Sequence, residues 1–218
     1  MDTDELLKRY SAGERDFSNA MLDEANLREV ELVGANLSRA ILRGADLRGA
    51  NLKSVNLSQA NLMGANLSQA NLNLAKLCRA NLRLADLSEA SLQEADLTEA
   101  DLQRATLKKA DLSQASLREA ILNQAILLMA NLSRANLPWT ILAEANLKAT
   151  NLQQSILFMA DLRKANLSGA NLSQAYLPGA YLLEATLSDV NLREADLKGA
   201  IMPDGSINRP AHSISCPA

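Results

Sequence analysis

Catalysis needs reactive groups that converge, and the reactive residues of this chain are few and scattered. Its single histidine, His212, and one of its two cysteines, Cys216, stand close to the C-terminal end. The other cysteine, Cys78, sits directly after a leucine among polar neighbours, and that place in the pattern predicts a thiol facing solvent. The wide separation of the two thiols argues against an easy bridge, and a cytosolic chain would keep both reduced. There is no Cys-x-x-Cys pair, no glycine-rich phosphate loop and no His-Glu-x-x-His helix. Serines are plentiful, but no histidine stands ready to activate one. Carboxylates recur at regular spacing, which predicts flat, solvated columns without the burial that separates an acid from a base. The expectation is a protein without catalytic residues, cofactor or metal.

The elements that hold these residues are set by an unusual composition. Of 218 residues, 42 are Leu and 36 are Ala, while aromatic residues make up 3%. Nine glycines exclude collagen, and two cysteines exclude a disulfide scaffold. A hydrophobic content of 48% argues against disorder. Charged and amide residues interrupt every apolar stretch, so no membrane-spanning helix is expected. With 22 basic and 25 acidic residues the net charge is −3, which favours neither a basic nor an acidic partner.

From Phe17 to Met202 every fifth residue is large and apolar, giving 38 consecutive pentads, with Leu at 36 of those positions. Two residues before each stands a small residue, Ala in 31 of the 38. The departures are Arg15, Val30, Val55, Thr140, Thr150, Ser155 and Val190. The residue just before the leucine is mostly Asn, Asp, Ser or Thr. On an α-helix a period of five winds the leucines around every face. On a strand an odd period sends successive leucines to opposite faces. The chain must therefore turn once per pentad, so that each Leu, and the small residue two before it, points at one axis. Ala fits where the backbone passes close to that axis. Each buried Leu then stabilises by ~1.5–3 kcal/mol before the cost of ordering the chain.

The Ala-(Asn/Asp)-Leu-x-x run, as in Ala35-Asn36-Leu37-Ser38-Arg39 and Ala45-Asp46-Leu47-Arg48-Gly49, resembles the pentapeptide-repeat family. The resemblance spans residues 15 to about 204. It implies an all-β fold, a right-handed quadrilateral β-helix with four pentads per coil. This chain would then form a solenoid of about nine to ten coils, on the order of 45 Å long at strand-like stacking. Some members bind DNA gyrase, which has been read as mimicry of duplex DNA, so a gyrase- or regulator-binding protein is the alternative to the main expectation, a non-enzymatic interaction or scaffold module.

Solenoid ends need caps. Asp2 with Glu5 reads as a helix start, Leu6, Leu7 and Tyr10 share a face, and Gly13 reads as a stop. A short N-terminal capping helix over about 3–10 is expected to cover Phe17 and Leu22. The expected organisation is a helical cap over 1–14, a coil over 15–204 and a tail over 205–218 that folds under the last coil to about Ile207. The helix–repeat–Pro-Asp-Gly layout is similar to that of cyanobacterial members. The acidic start argues against a signal or transit peptide and predicts a cytoplasmic protein.

Counting in twenties sorts the outward positions into four walls, centred on leucine positions 17, 22, 27 and 32, with net charges of 0, −2, 0 and −1. No wall is an acidic stripe that could match one charge per ~1.7 Å of duplex, and none is basic. Neither DNA mimicry nor nucleic-acid binding is favoured, and no loop interrupts the pentads. The outward positions change character between about 121 and 183. Trp139, Ile156, Phe158, Met159 and Tyr176 fall on the first wall with Pro138 and Pro178. Ile121, Ile141, Tyr181 and Leu183 fall on the second, and Ile126, Leu128 and Met129 on the third. Such a surface reads as an interface, with a second copy of the chain or with another protein, or as columns that only tile the wall.

Overall fold

The computed structural model describes residues 1–209; the tail reading beyond Arg209, with His212 and Cys216, lies outside the described residues. One helix, α1 (Thr3–Ser11), opens the chain. The Asp2 carboxylate accepts a hydrogen bond from the Glu5 N–H at 2.8 Å, and so satisfies one of the free donors of the first turn. At the other end the Gly13 N–H reaches the Tyr10 carbonyl and the Glu14 N–H reaches the Arg9 carbonyl. That pair of bonds needs a left-handed residue, and Gly13 supplies it at φ +96°. Leu6 is fully buried, and Leu7 and Tyr10 pack on the core beside it. The Tyr10 hydroxyl also donates to the Val33 carbonyl at 3.0 Å.

From Asp16 onward the chain coils. Every parallel bridge, from Asp16–Asn36 to Tyr181–Ile201, joins residues twenty apart, so four pentads make one turn of the coil. Each pentad contributes a single bridging residue, the one before its leucine, and no continuous strand forms among the described residues. The backbone bonds explain why. The Leu37 N–H donates to Asn56 on the next rung, and the Asn56 N–H donates back to Ala35. Between them the chain turns: the Ala40 N–H donates to the Leu37 carbonyl at 3.0 Å. From Asn19 to Gly199 the third residue of every such turn is left-handed, with φ of 55–61° where it is not glycine. A Cβ there costs about 1 kcal/mol or more. The corner is held by its own N–H, as when Arg39 donates to Ser58 on the next rung.

The polar residue before each leucine has a local task. The Asn36 side-chain oxygen accepts from the Ser38 N–H, and the Asp86 carboxylate from the Ser88 N–H. This two-residue side-chain turn suits Asn and Asp. The leucines fill the axis and are almost all fully buried. Thr140 and Thr150 replace Ala without cost in unpaired polar groups, because their hydroxyls donate to the carbonyls of Leu117 and Leu127 at 2.8 and 2.9 Å. Among the described residues no buried side-chain polar atom lacks a partner. At the far end the chain doubles back, with Ile207 pairing antiparallel to Ile201 and the Gly199 N–H donating to Asn208. Leu187, Leu192 and Leu197 are only half-buried there.

Candidate interaction surface

The twenty-residue register brings three aromatic rings of wall one together. Trp139 meets Phe158 edge to face, with centroids 5.5 Å apart, and Phe158 stacks on Tyr176 at 6.4 Å. Aromatic pairs at such distances stabilise by ~0.5–1.5 kcal/mol beyond their buried area. The cluster is not sealed: Trp139 is 47% exposed, Tyr176 46% and Ile156 42%. Phe158 and Met159 are half-buried, and Pro138, expected to point outward, is buried. A Cβ added to Gly179 would lie 2.5 Å from the Met159 sulfur, so Met159 lies in the hollow that this glycine leaves.

At the corner between walls one and two, Trp139, Ile141, Met159 and Tyr181 line a shallow cleft of about 320 Å³ together with Asp161 and Arg163. The Arg163 guanidinium grips Asp161 with two bonds, of 2.8 and 2.6 Å, and its backbone N–H adds a third at 3.1 Å. Burial pushes the Asp161 carboxyl up, but the Arg163 side-chain and backbone bonds together outweigh it and hold the group below the usual carboxylate range. Leu183 lies next to this corner, in a second cleft with Arg163, Lys164 and Glu184. Ile121 stacks on Ile141 one rung above.

Wall three does not join this surface. Ile126, Leu128 and Met129 occupy one rung of the wall opposite wall one, bridged to Thr106 above and Asn146 below. Cys78 is half-buried on wall one rather than open to solvent, and burial raises its thiol pKa.

A chain of side-chain bonds at the corner between walls four and one escaped the sequence reading. Arg134 donates to Gln154 at 2.9 Å, Gln154 to Gln174 at 2.8 Å and Gln174 to Glu194 at 2.7 Å. Its signal was a corner position occupied by Arg, Gln, Gln and Glu at intervals of twenty. On wall four itself, Asn191, Asn171 and Asn151 each donate to the asparagine one rung before, ending at Asn131 and Asp111. The trough beside them, about 350 Å³, is lined by amides, hydroxyls and charged groups. Among the described residues no group of His, Cys, Asp and Glu could hold a metal ion, and no helix is long and apolar enough to cross a membrane.

Four five-residue turns per coil, stacked twenty residues apart around a leucine axis, define a repeat solenoid. The chain belongs to the pentapeptide-repeat family: the family profile described as pentapeptide repeats matches in eight copies that extend over residues 16–124 and 130–202. It is 37% identical to HetL, a pentapeptide-repeat protein involved in heterocyst differentiation regulation from the cyanobacterium Nostoc sp. strain PCC 7120. That match covers 95% of this chain and all of the other, with a TM-score of 0.46. Rfr23, from the cyanobacterium Cyanothece 51142, is 40% identical over 44% of this chain and 63% of its own, with a TM-score of 0.28. A trypsin-treated QnrB1 variant, a plasmid-mediated fluoroquinolone resistance protein, matches 78% of this chain and 88% of its own at 21% identity and a TM-score of 0.63, a likeness of fold. The family match and the fold likeness to the QnrB1 variant imply a right-handed β-helix. No curated protein matches the sequence significantly.

Proposed function

We propose that the protein is a non-enzymatic interaction module that binds another protein chain through the aromatic surface of its C-terminal half. The residues assigned to that surface are Trp139, Phe158, Met159, Ile156 and Tyr176, with Ile121, Ile141, Tyr181 and Leu183 on its wall-two flank. The observation that carries the reading is the Trp139–Phe158–Tyr176 cluster, whose rings are ordered by one another yet open to solvent. Aromatic and Met side chains that are exposed and already ordered lose little freedom on binding. Leu128 and Met129 are assigned to a lesser, separate patch on wall three. The reading places the module in the cytoplasm, with no cofactor and no contact with nucleic acid or membrane. The organisation it assumes is a cap over 1–14, a four-sided right-handed coil of nine to ten turns over 15–204, and a tail.

The test is a double substitution, Trp139→Ala with Phe158→Ala, followed by light scattering on a sizing column and by capture of binding proteins. The expected result is loss of association with the melting curve of the coil preserved. Association unchanged in both assays would sink the proposal.

The sequence likeness to HetL favours a second reading, a regulator-binding role. A gyrase-directed role through DNA mimicry is the weaker form of that idea, because the walls are nearly neutral. A supercoiling assay with added protein decides the latter; no effect at micromolar levels removes it.

A further inference from the structure

We infer that the occupant of wall one is a second copy of this chain, laid antiparallel across it about a two-fold axis that passes between the rung of Phe158 and the rung of Pro178. This rests on the interaction surface proposed above and names its partner. Three features of wall one point to it. The first is the corner ladder from Arg134 through Gln154 and Gln174 to Glu194, a bonded line with a cation at one end and, at the other, a carboxylate that also takes the neighbouring Arg193 at 3.1 Å. The two charged ends are three rungs apart, with the two amides between them. An antiparallel copy sets Arg134 against Glu194 of the partner subunit, and the reverse, while the glutamines face each other. A parallel two-fold would instead set each rung against itself and place both charged ends at the opposite, uncharged corner.

The second feature is shape. The same operation sets Trp139 against Gly199 of the partner subunit. Among the described residues a Cβ at Gly199 would meet nothing within 4 Å, so this position is open there, unlike that of Gly179, which Met159 already fills. The largest exposed side chain of the wall thus faces a glycine with no described neighbour over it. The third is the middle of the contact, where Phe158 faces Pro178 and Ile156 faces Tyr176 of the partner subunit, apolar against apolar with no like charges opposed. An isologous contact has to be self-complementary in this way.

The contact is small. Four rungs at ~4.8 Å span about 15 Å along the rod, which puts the interface at the low end of the specific range, below about 1,200 Å² in total. Self-association is therefore expected to depend on concentration, with a Kd at the micromolar level or weaker.

The decisive experiment is sedimentation velocity on the full chain from about 1 to about 300 µM, for wild type, Arg134→Glu, Glu194→Arg and an equimolar mixture of the two variants. Both positions are exposed corners, and melting curves check that the coil is kept. The expected result is a wild-type dimer, each variant at least tenfold weaker, and a mixture that recovers dimer. The recovery follows because the Arg134→Glu chain has two acidic ladder ends and the Glu194→Arg chain two basic ones. No contact within one chain reproduces it. A wild type that stays monomeric throughout overturns the inference, and partner capture with the Trp139 and Phe158 variant then judges the surface itself. A dimer lost on the aromatic substitutions but indifferent to charge reversal overturns the antiparallel register and leaves the surface standing. A dimer indifferent to both overturns both.

Discussion

Between residues 131 and 194, walls one and four run side by side on the same backbone ladder and the same buried leucines, yet they treat solvent in opposite ways. Wall four ties its outward side chains to one another: Asn191, Asn171 and Asn151 each pass a hydrogen bond to the rung before. Wall one stacks rings whose edges stay exposed among the described residues. The difference teaches that the coil fixes only the positions of outward residues. Whether a wall is closed on itself or open to a partner is written in the three outward residues of each pentad.

Four measurements would break or sharpen that contrast. The largest effect should fall on both walls alike. Leu152→Ala under wall four and Leu157→Ala under wall one each remove a fully buried side chain. Each should cost about 2–5 kcal/mol in urea unfolding. A difference between them larger than ~2 kcal/mol would mean that the walls share less of a core than the backbone suggests. Next comes Trp139→Ala with Phe158→Ala. Association should weaken at least tenfold, or about 1.4 kcal/mol, while the coil stays folded and loses about 1–3 kcal/mol for its two ring pairs, with a further loss from the half-buried Phe158 ring. The mirror of that result is Asn151→Ala. It removes the bonds to Asn131, from Asn171 and from the Gln153 N–H. Stability should drop by about 1–2 kcal/mol with association untouched; altered association would make wall four part of the contact.

The smallest effect concerns pH. The Asp161 carboxyl is held below its ordinary range in the folded chain, so its pairing with Arg163 stabilises fully above the unfolded value, about pH 4. That contribution is lost as pH falls through the lower folded value. Trp139, the only tryptophan, lines the same cleft and reports on it. Its fluorescence should hold steady from pH 7 to about 5 and change below about pH 4. Asp161→Asn should abolish that step; a step that persists would assign it elsewhere.

The axis of the fold was legible in the sequence, because Leu and Ala at fixed places in a five-residue period leave no other way to bury them. The number of sides was not. A period of five is silent on how many turns close a coil, and four came from family resemblance until the Asp16–Asn36 bridge set it physically. The left-handed corners were also hidden. Residues such as Glu29, Arg39 and Trp139 occupy them at φ of 55–58°, although their chemistry argues for other conformations. The aromatic cluster was legible once counting in twenties aligned Trp139, Phe158 and Tyr176. The Asp161–Arg163 pair and the ladder from Arg134 to Glu194 were not, because any one charged or amide residue on a solvated wall looks like all the others. Leu128 and Met129 lie two pentads around the square from Trp139, on the opposite side, so they form a patch of their own.

The fixed twenty-residue reach of every bridge has a consequence for how the chain comes into being. Contacts separated by twenty in a chain of 218 correspond to a relative contact order of about 0.1, the range of fast-folding helical bundles rather than of slow β-sandwiches. The cap α1 and the first rung leave the ribosome before the rungs that stack on them. At ~5–20 residues per second, each new rung arrives in roughly one to four seconds and finds a finished rung to settle on. The rod can thus grow as it is made, from its sealed end outward. The aromatic rungs follow the rungs N-terminal to them, so that surface forms on coil that is already in place.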